Sequence, residues 1–260
     1  MKYILFVIAT AFLLTSFQLI APAYKLIGHR GGVVDSSYTE NSMPALQAAV
    51  KRGYYMVEID VRLTKDSVLI GQHDPTFYKY YHVNRQTQHL TWDSVRLLTS
   101  DRDNSKVLLF EEVLKYCKGK LQIMLDNKIT GNDTASFRRI EMLMRKYDLL
   151  DKALIIGTNE TRRYFSGKAK VGYSLNALKQ LQQDADFNAG SYFLFDHGNV
   201  LTQEAVNWAQ QNKILVVPSI NKFHYTNIAP MQGANRDIDQ LKKWGVEYYQ
   251  IDSEFDQWLR

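Results

Sequence analysis

Nine short aliphatic or β-branched segments alternate with helical patterns along most of the chain, and this alternation restricts the possible folds more than any other feature. Strands that alternate with helices build a parallel sheet, because each helix returns the chain to the edge where the next strand begins. The candidate strands are residues 24–29, 56–61, 68–73, 121–126, 153–157, 170–174, 192–196, 214–219 and 247–252. The pattern therefore predicts an α/β fold.

One of the nine candidate strands cannot join the parallel set. Only a short polar turn, residues 64–67, precedes the segment 68–73, which leaves no room for a crossover helix. Strands joined this tightly pair antiparallel. We expect segment 68–73 to fold back along the second strand as a hairpin arm, with His73 roughly opposite Asp60. The other eight strands suffice to close a TIM (β/α)8 barrel, and 260 residues suit that fold.

The first 23 residues differ in composition from the rest of the chain. Lys2 is followed by a charge-free apolar run over residues 3–20, and then by the small residues Ala21-Pro22-Ala23, which suit signal peptidase. We expect a signal peptide at residues 1–23, with cleavage near Tyr24 and export to a periplasmic or extracellular location. The alternative is a membrane anchor at residues 3–20, whose length approaches a bilayer span.

Residues 24–260 contain no repeat, low-complexity segment or Gly/Ser linker, which favours one domain over this range. The formal net charge of +5 slightly favours anionic ligands, but no basic run is present, so nucleic-acid binding is not expected. Cys117 is the single cysteine, which excludes an intrachain disulfide and a cysteine-based metal site. Its helical surroundings predict a small buried apolar residue.

Charged and ionisable residues lie at the ends of four predicted strands, where a TIM barrel places its active site. They are His29 and Arg30 after the first strand, Glu58 and Asp60 in the second, His73 at the end of the hairpin arm, and Asp126 and Lys128 at the next barrel strand. Alternation along a strand places Glu58 and Asp60 on one face. If the barrel forms, these groups converge on one site.

The carboxylates of Glu58, Asp60 and Asp126 predict a metal site. Three carboxylates in one low-dielectric place repel each other unless a cation is present. Their oxygens suit one hard divalent cation, Ca²⁺ or Mg²⁺. The pair Glu58 and Asp60 alone would be interpreted as a charged strand end matched by Lys or Arg, but the nearby histidines favour a metal.

His29 and His73 together are typical of an acid and base pair, although each alone would more often be structural. Arg30 suits a phosphate as a bidentate fork, and Lys128 as a point charge. The glycines at 31–32 would allow the backbone to approach a bound anion closely, or would simply form a turn.

Nine motifs of the chain resemble, in order and spacing, those of the glycerophosphodiester phosphodiesterase family. They are His29-Arg30-Gly31, Glu40-Asn41, Glu58-Ile59-Asp60, Thr64-Lys65-Asp66, His73-Asp74-Pro75-Thr76, Leu109-Phe110-Glu111-Glu112-Val113-Leu114, Asp126-Asn127-Lys128, Trp244-Gly245-Val246-Glu247 and Ile251-Asp252. The chain departs from the family pattern at three places. Asp126 stands where Glu is usual, Thr39 where Pro is usual, and residues 218–221 where a Trp-Thr-x-Asn signature is usual.

The resemblance implies a TIM barrel with metal-dependent hydrolysis of small glycerophosphodiesters to glycerol phosphate and an alcohol. It implies His29 and His73 as acid and base; Glu58, Asp60 and Asp126 as metal ligands; and Arg30 and Lys128 as phosphate contacts. One alternative is a related barrel enzyme acting on a phospholipid or inositol-type headgroup, for which the aromatic segment 77–81 would face lipid. Another is a barrel that binds phosphodiesters without cleaving them. Membrane contact is expected only through the substrate or the N-terminal segment.

Overall fold

The computed structural model describes residues 24–260, so the predicted signal peptide or anchor lies outside the described residues. The helices and strands follow in the order β1 (Lys25–Gly28), α1 (Met43–Lys51), β2 (Met56–Leu63), β3 (Leu69–Gly71), β4 (Thr76–Phe77), α2 (Tyr78–Tyr81), β5 (Val83–Gln86), α3 (Trp92–Val95), α4 (Phe110–Cys117), β6 (Gln122–Asn127), α5 (Thr134–Lys146), β7 (Leu154–Gly157), α6 (Asn159–Phe165), β8 (Lys170–Tyr173), α7 (Leu175–Leu181), β9 (Tyr192–His197), α8 (Gln203–Gln211), β10 (Leu215–Ile220), α9 (Pro230–Lys243) and β11 (Tyr248–Ile251).

Eight parallel strands close a barrel in the order β1, β2, β6, β7, β8, β9, β10 and β11, and β11 pairs with β1 to complete the ring. Helices connect successive barrel strands on the outside. The predicted TIM barrel is therefore confirmed, and the surplus strand is the one the sequence indicated.

The surplus strand β3 pairs antiparallel with the end of β2, as the short turn predicted. Val61 faces Gly71, and the Gln72 backbone N–H donates to the Asp60 carbonyl over 3.0 Å. Gln72, rather than His73, thus lies opposite Asp60. The one-residue difference arises because the turn closes on Thr64, whose N–H donates to the Val68 carbonyl.

Strand β2 alternates between the two faces of the barrel wall, and this alternation positions the polar residues. Met56 packs inside the barrel, whereas Val57, Ile59 and Val61 belong to the outer core beneath the helices. The side chains between them, Glu58 and Asp60, therefore face the barrel interior, where each residue is only 1% exposed.

A small cap, residues 75–107, follows the hairpin. It contains β4, α2, β5 and α3 around a core of Ile70, Phe77, Leu90, Val95 and Val107. The cap over the barrel mouth is therefore small. Within the aromatic segment 77–81, Phe77 and Tyr80 are buried, and Tyr78 is 61% exposed.

The start of α1 has a regular cap, and the buried position predicted for Cys117 is confirmed. Ser42 caps α1, accepting a hydrogen bond from the Ala45 N–H, and a proline lies in the first helical turn. Cys117 is buried on α4, and burial raises the pKa of its thiol to about 12, so this thiol does not ionise at neutral pH. Among residues 24–260, no helix has both the length and the apolar composition to cross a membrane.

Candidate active site

An acidic trio lies inside the C-terminal mouth of the barrel. Glu58 and Asp60 come from β2 and Asp126 from the neighbouring strand β6, where Asp60 and Asp126 are register partners. One carboxylate oxygen from each residue lies within 4.8 Å of the other two. The barrel thus assembles the three predicted ligands in one place.

The trio is electrostatically unfavourable, because its negative charges are both buried and close. Burial, followed by the charges of Asp60 and Asp126, raises the pKa of Glu58 well above its ordinary value. Burial also raises the pKa of Asp126, although Lys128 opposes the rise. The Lys128 ammonium lies 2.6 Å from Asp126 Oδ2 and 3.3 Å from Asp60 Oδ1. It therefore acts as an internal counter-charge for the trio.

The donor set of the trio fits a divalent cation. Oε1 of Glu58 is buried and has no hydrogen-bond partner among residues 24–260, while Oε2 accepts from the Arg30 N–H over 2.7 Å. A buried carboxylate oxygen without a donor costs free energy unless a cation binds it. Carboxylate oxygens are the ligands that both Ca²⁺ and Mg²⁺ prefer. The trio is thus a cluster of carboxylates that could bind a metal ion.

His29 is held by groups from the last two barrel strands. Its Nδ1 lies 2.6 Å from Asp252 Oδ1, and the Asn221 Nδ2 lies 3.1 Å from the same nitrogen. The Lys222 N–H donates to the other Asp252 oxygen over 2.7 Å. Burial disfavours a charged Asp252, but the hydrogen bonds from His29, Lys222 and Asn221 lower its pKa. The carboxylate therefore stays ionised and fixes the ring, which leaves Nε2 free for chemistry.

His73 is oriented in a similar way at the rim. Its Nδ1 lies 2.7 Å from Asp74 Oδ1, and its Nε2 lies 3.1 Å from the Arg30 Nη2. A guanidinium only donates hydrogen bonds, so Nε2 accepts and Nδ1 carries the proton donated to Asp74. This geometry presents His73 Nε2 as a proton acceptor.

Arg30 connects the trio to His73. Its backbone is left-handed, with a φ of +50°, which turns its N–H onto Glu58. Its Nη1 donates to Glu40 Oε1 over 2.7 Å, and Glu40 also accepts from Lys79. Burial disfavours a charged Glu40, but Arg30 and Lys79 lower its pKa. Glu40 thus fixes the guanidinium beside His73.

The glycines after β1 serve packing against α1 and the loop before it. Gly31 has a φ of +92°, and a Cβ there would lie 2.7 Å from the Asn41 Cα. A Cβ on Gly32 would lie 2.8 Å from the Ala45 carbonyl oxygen. The close approach that these glycines allow is therefore to protein backbone. It brings Asn41 into place, whose amide donates to Asp60 Oδ2 over 3.0 Å.

Two clefts open beside the trio. The first, of about 680 Å³, borders His29, Arg30, Tyr80 and Phe223, with the Phe223 ring 6.1 Å from the His29 ring. The second, of about 410 Å³, borders Lys128 and Arg62. A phosphate at the trio would thus have open space near it in two clefts.

The structure brings all seven predicted site residues to one mouth of the barrel: His29, Arg30, Glu58, Asp60, His73, Asp126 and Lys128. Four further residues contact them and were given no role from the sequence: Glu40, Asp74, Asn221 and Asp252. Asn221 and Asp252 directly follow β10 and β11. The strand-end rule that selected His29 would therefore have found them.

Comparison with known proteins identifies the family. A model of the glycerophosphoryl diester phosphodiesterase family matches residues 29–250. The chain belongs to this family. The resemblance in its motifs is thereby confirmed, and the match includes every residue of the trio.

Individual relatives of this phosphodiesterase family are distant in sequence. Human glycerophosphodiester phosphodiesterase 1 is 27% identical over 124 residues, which are 44% of this chain and 37% of that protein. Human lysophospholipase D GDPD1 is 26% identical over 136 residues, which are 48% of this chain and 42% of that protein. The matched region therefore spans less than half the length of these curated relatives.

Solved structures of the family share the fold. A glycerophosphoryl diester phosphodiesterase from Parabacteroides distasonis matches with a TM-score of 0.74 at 20% identity, covering 91% of this chain and 86% of that one. A phosphodiesterase from Oleispira antarctica, solved in complex with the product sn-glycerol-3-phosphate, matches with a TM-score of 0.70 at 15% identity. That match covers 89% of this chain and 94% of the other.

Proposed function

We propose that this chain is a metal-dependent hydrolase that cleaves glycerophosphodiesters into glycerol phosphate and an alcohol. The family match and the product bound to the Oleispira antarctica relative support this substrate class. The observation that carries the proposal is the pair of imidazoles, His29 and His73, each held by a carboxylate through Nδ1 beside one acidic trio. Two oriented imidazoles next to a metal-binding group suit acid and base catalysis at phosphorus.

In this proposal His73 is the base and His29 is the acid. Nε2 of His73 accepts from Arg30 in this geometry and so carries no proton. Once Arg30 turns towards the phosphate, this nitrogen can take the proton of the nucleophile, either a neighbouring glycerol hydroxyl or water. As the nucleophile bonds to phosphorus, the P–O bond to the leaving alcohol breaks. When the nucleophile is the glycerol hydroxyl, water then opens the resulting cyclic phosphate to give glycerol phosphate. His29 donates its Nε2 proton to that departing oxygen, while Asp252 stabilises the protonated ring before transfer.

The phosphate would be held between the metal-binding trio and two positively charged side chains, Arg30 and Lys128. Glu58, Asp60 and Asp126 would bind one divalent cation, Ca²⁺ or Mg²⁺, which when bound polarises the phosphate and stabilises its developing charge. Arg30 would turn from His73 towards a phosphate oxygen, which suits its forked donors. Lys128 now neutralises the trio. Once the divalent cation neutralises the trio instead, Lys128 would offer a second positive charge to the phosphate.

The burial of the aromatic segment 77–81 favours a polar substrate over an intact lipid. Phe77 packs into the core of the cap and Tyr80 is buried beside the cleft, so the segment offers no continuous apolar rim. Charged side chains, including Arg30, Lys79 and Glu254, line the cleft beside His29. A water-soluble diester fits these surroundings better than an acyl chain does.

A panel of glycerophosphodiesters assayed with Ca²⁺ and with Mg²⁺ tests the proposal. Release of glycerol phosphate together with the free alcohol, stopped by a chelator, is the expected result. Tight binding of the same diesters without any release would instead support the non-catalytic barrel. Release of a phosphorylated headgroup would show that the other P–O bond is cleaved.

We also propose that the protein is exported after cleavage of residues 1–23. Small residues follow the apolar run of the leader, which suits cleavage before Tyr24. N-terminal sequencing of native protein should give Tyr24 at or near the first position. Retention of Met1 or Lys2 would favour the membrane anchor.

A further inference from the structure

Arg62 lies on the same face of β2 as the trio but takes no part in it. Alternation along the strand places Glu58, Asp60 and Arg62 on one side, with Arg62 nearest the rim. Its Nε donates to the His73 carbonyl over 2.9 Å. The residue is half-buried and forms no ion pair within residues 24–260, and Asp60, Asp74 and Asp126 act on it only through space.

The side chain of Arg62 lines the cleft of about 410 Å³ beside Lys128. Three cations and one acid line this cleft: Arg62, Lys65, Lys128 and Asp133. The carboxylate of Asp133 is already engaged, because it accepts from the Ser136 N–H at the start of α5. The other lining groups include the amides of Gln86 and Gln88. The cleft is thus positively charged and rich in hydrogen-bond donors.

The cleft on the His29 side has a different charge balance. Its four cations are Arg30, Lys79, Arg102 and Lys222, and its four acids are Asp35, Glu40, Asp252 and Glu254. Several of these charges pair with one another, such as Lys222 with Glu254 and Arg30 with Glu40. Of these two clefts, the one beside Lys128 therefore carries the excess positive charge, and this excess belongs to Arg62 and Lys65 because Lys128 pairs with Asp126.

A half-buried guanidinium without a carboxylate partner favours an anion from outside, because burial removes water that would otherwise solvate it. We infer that the cleft lined by Arg62, Lys65 and Lys128 is an anion subsite, which takes a carboxylate or a second phosphate carried on one alcohol arm of the substrate. The inference rests on the proposed function, since it places the phosphodiester at the trio. Lys128 both lines the cleft and contacts the trio. An alcohol arm attached to a phosphate at the trio could therefore place its anionic substituent in this cleft.

Paired substrates that differ by one anionic group test the inference. Glycerophosphoserine carries a carboxylate that glycerophosphoethanolamine lacks, and glycerophosphoinositol 4-phosphate carries a phosphate that glycerophosphoinositol lacks. We expect the wild-type kcat/KM to be higher for the anionic member of at least one pair, by roughly tenfold or more. The pair that shows the preference identifies whether a carboxylate or a phosphate is recognised.

Substitutions then locate the preference. Arg62→Gln should reduce the ratio of kcat/KM within that pair by roughly tenfold, and Arg62→Lys should retain part of it. Arg145→Gln is the matched control, because Arg145 is exposed on α5 and pairs with Glu141 outside both clefts. Lys65 is exposed and also lines the cleft, so Lys65→Gln should lower the same ratio of kcat/KM by a smaller factor.

Three outcomes overturn the inference. One is a wild-type ratio near unity for both pairs. A second is an unchanged ratio in Arg62→Gln with lower turnover of every substrate, which would restrict Arg62 to positioning His73. A third is loss of all turnover in Arg62→Gln together with an unchanged ratio in Lys65→Gln. Hydrolysis of no glycerophosphodiester by the wild type would instead contradict the proposed function itself.

Discussion

Nδ1 of His29 lies 2.6 Å from Oδ1 of Asp252, although 223 residues separate the two along the chain. Closure of the barrel between β1 and β11 creates this contact, because the two residues directly follow adjacent strands. The carboxylate fixes the ring and balances its positive charge after protonation. The contact therefore defines the orientation of one member of the proposed acid and base pair.

We predict that Asp252→Asn lowers kcat by about 10²- to 10⁴-fold with a smaller change in KM. An amide cannot balance the protonated ring, and it can hold the wrong tautomer. Steady-state kinetics on a glycerophosphodiester measures the effect, with circular dichroism to confirm folding. A folded variant with near-normal kcat would show that Asp252 has no such role.

The pH dependence of stability should also involve Asp252. The ordinary pKa of an Asp carboxyl is 3.8, and folding lowers the pKa of Asp252 below this value. The ionised form therefore stabilises the folded state above pH 3.8, and this contribution is lost as the pH falls through the lowered pKa. We expect the difference in unfolding free energy between wild type and Asp252→Asn to be largest near pH 6 and to shrink towards pH 3. Urea denaturation across this range measures it. A difference that grows on acidification would contradict the assignment.

Repulsion among the buried carboxylates of the trio should lower the stability of the metal-free protein. Because the pKa of buried Glu58 is raised, its charge is unfavourable at neutral pH, and Glu58→Gln should stabilise the metal-free protein by on the order of 1 kcal/mol. The same variant should lose the rise in Tm that Ca²⁺ or Mg²⁺ gives the wild type. Thermal denaturation with chelator and with each metal measures both effects.

Glu141→Gln is a control of opposite sign. Hydrogen bonds from Lys168 and Tyr164 outweigh burial and lower the pKa of Glu141, so removing its charge should destabilise the protein without altering the metal response.

Asp126→Asn should weaken metal affinity, and chelation should stop turnover. Full turnover in excess chelator, or an unchanged metal response in Glu58→Gln, would contradict the metal site.

Gly31→Ala should be strongly destabilising, by more than about 2 kcal/mol, because a Cβ would overlap the Asn41 backbone in addition to adopting a φ of +92°. Gly53 separates these causes. It has a φ of +71° but no atom within 4 Å of the added Cβ, so Gly53→Ala should cost about 1 kcal/mol. Equal losses in the two variants would show that close packing at Gly31 contributes nothing.

The barrel and the trio were predictable because they follow from local patterns. Strand periodicity placed Glu58 and Asp60 on one face, and the four-residue turn required β3 to run antiparallel. The hairpin register was less well defined, and Gln72 rather than His73 lies opposite Asp60. A turn of fixed length still allows more than one closing pair, so spacing alone could not decide between neighbouring residues.

The strand-end rule marks Asn221 and Asp252 as site residues, but which side chain holds which histidine was not predictable in the same way. Asp74 adjoins His73 in sequence, yet its pairing depends on a side-chain rotamer, and Asn221 reaches His29 only after the barrel has closed. The glycines at 31–32 were compatible with a bound anion or a simple turn, and their backbone approaches α1 and the preceding loop. Sequence periodicity reports which face a residue takes, but not which neighbour from another strand occupies that face.

The central claim is that His29 and His73 transfer protons in phosphodiester cleavage at the trio. Each single alanine variant should lower kcat on glycerophosphoethanolamine by at least about a hundredfold, with folding and metal content retained. The double variant should lose less than the product of the single losses, because the residues act as a unit.

The most direct measurement compares these variants on a glycerophosphodiester with a nitrophenol leaving group, which needs little protonation. Turnover by His29→Ala should recover towards the wild-type rate, whereas His73→Ala should remain slow, because His29 is assigned as the acid and His73 as the base. Recovery of His73→Ala alone would reverse the two roles. Near-normal turnover of either single variant on glycerophosphoethanolamine would contradict the claim that both histidines are required.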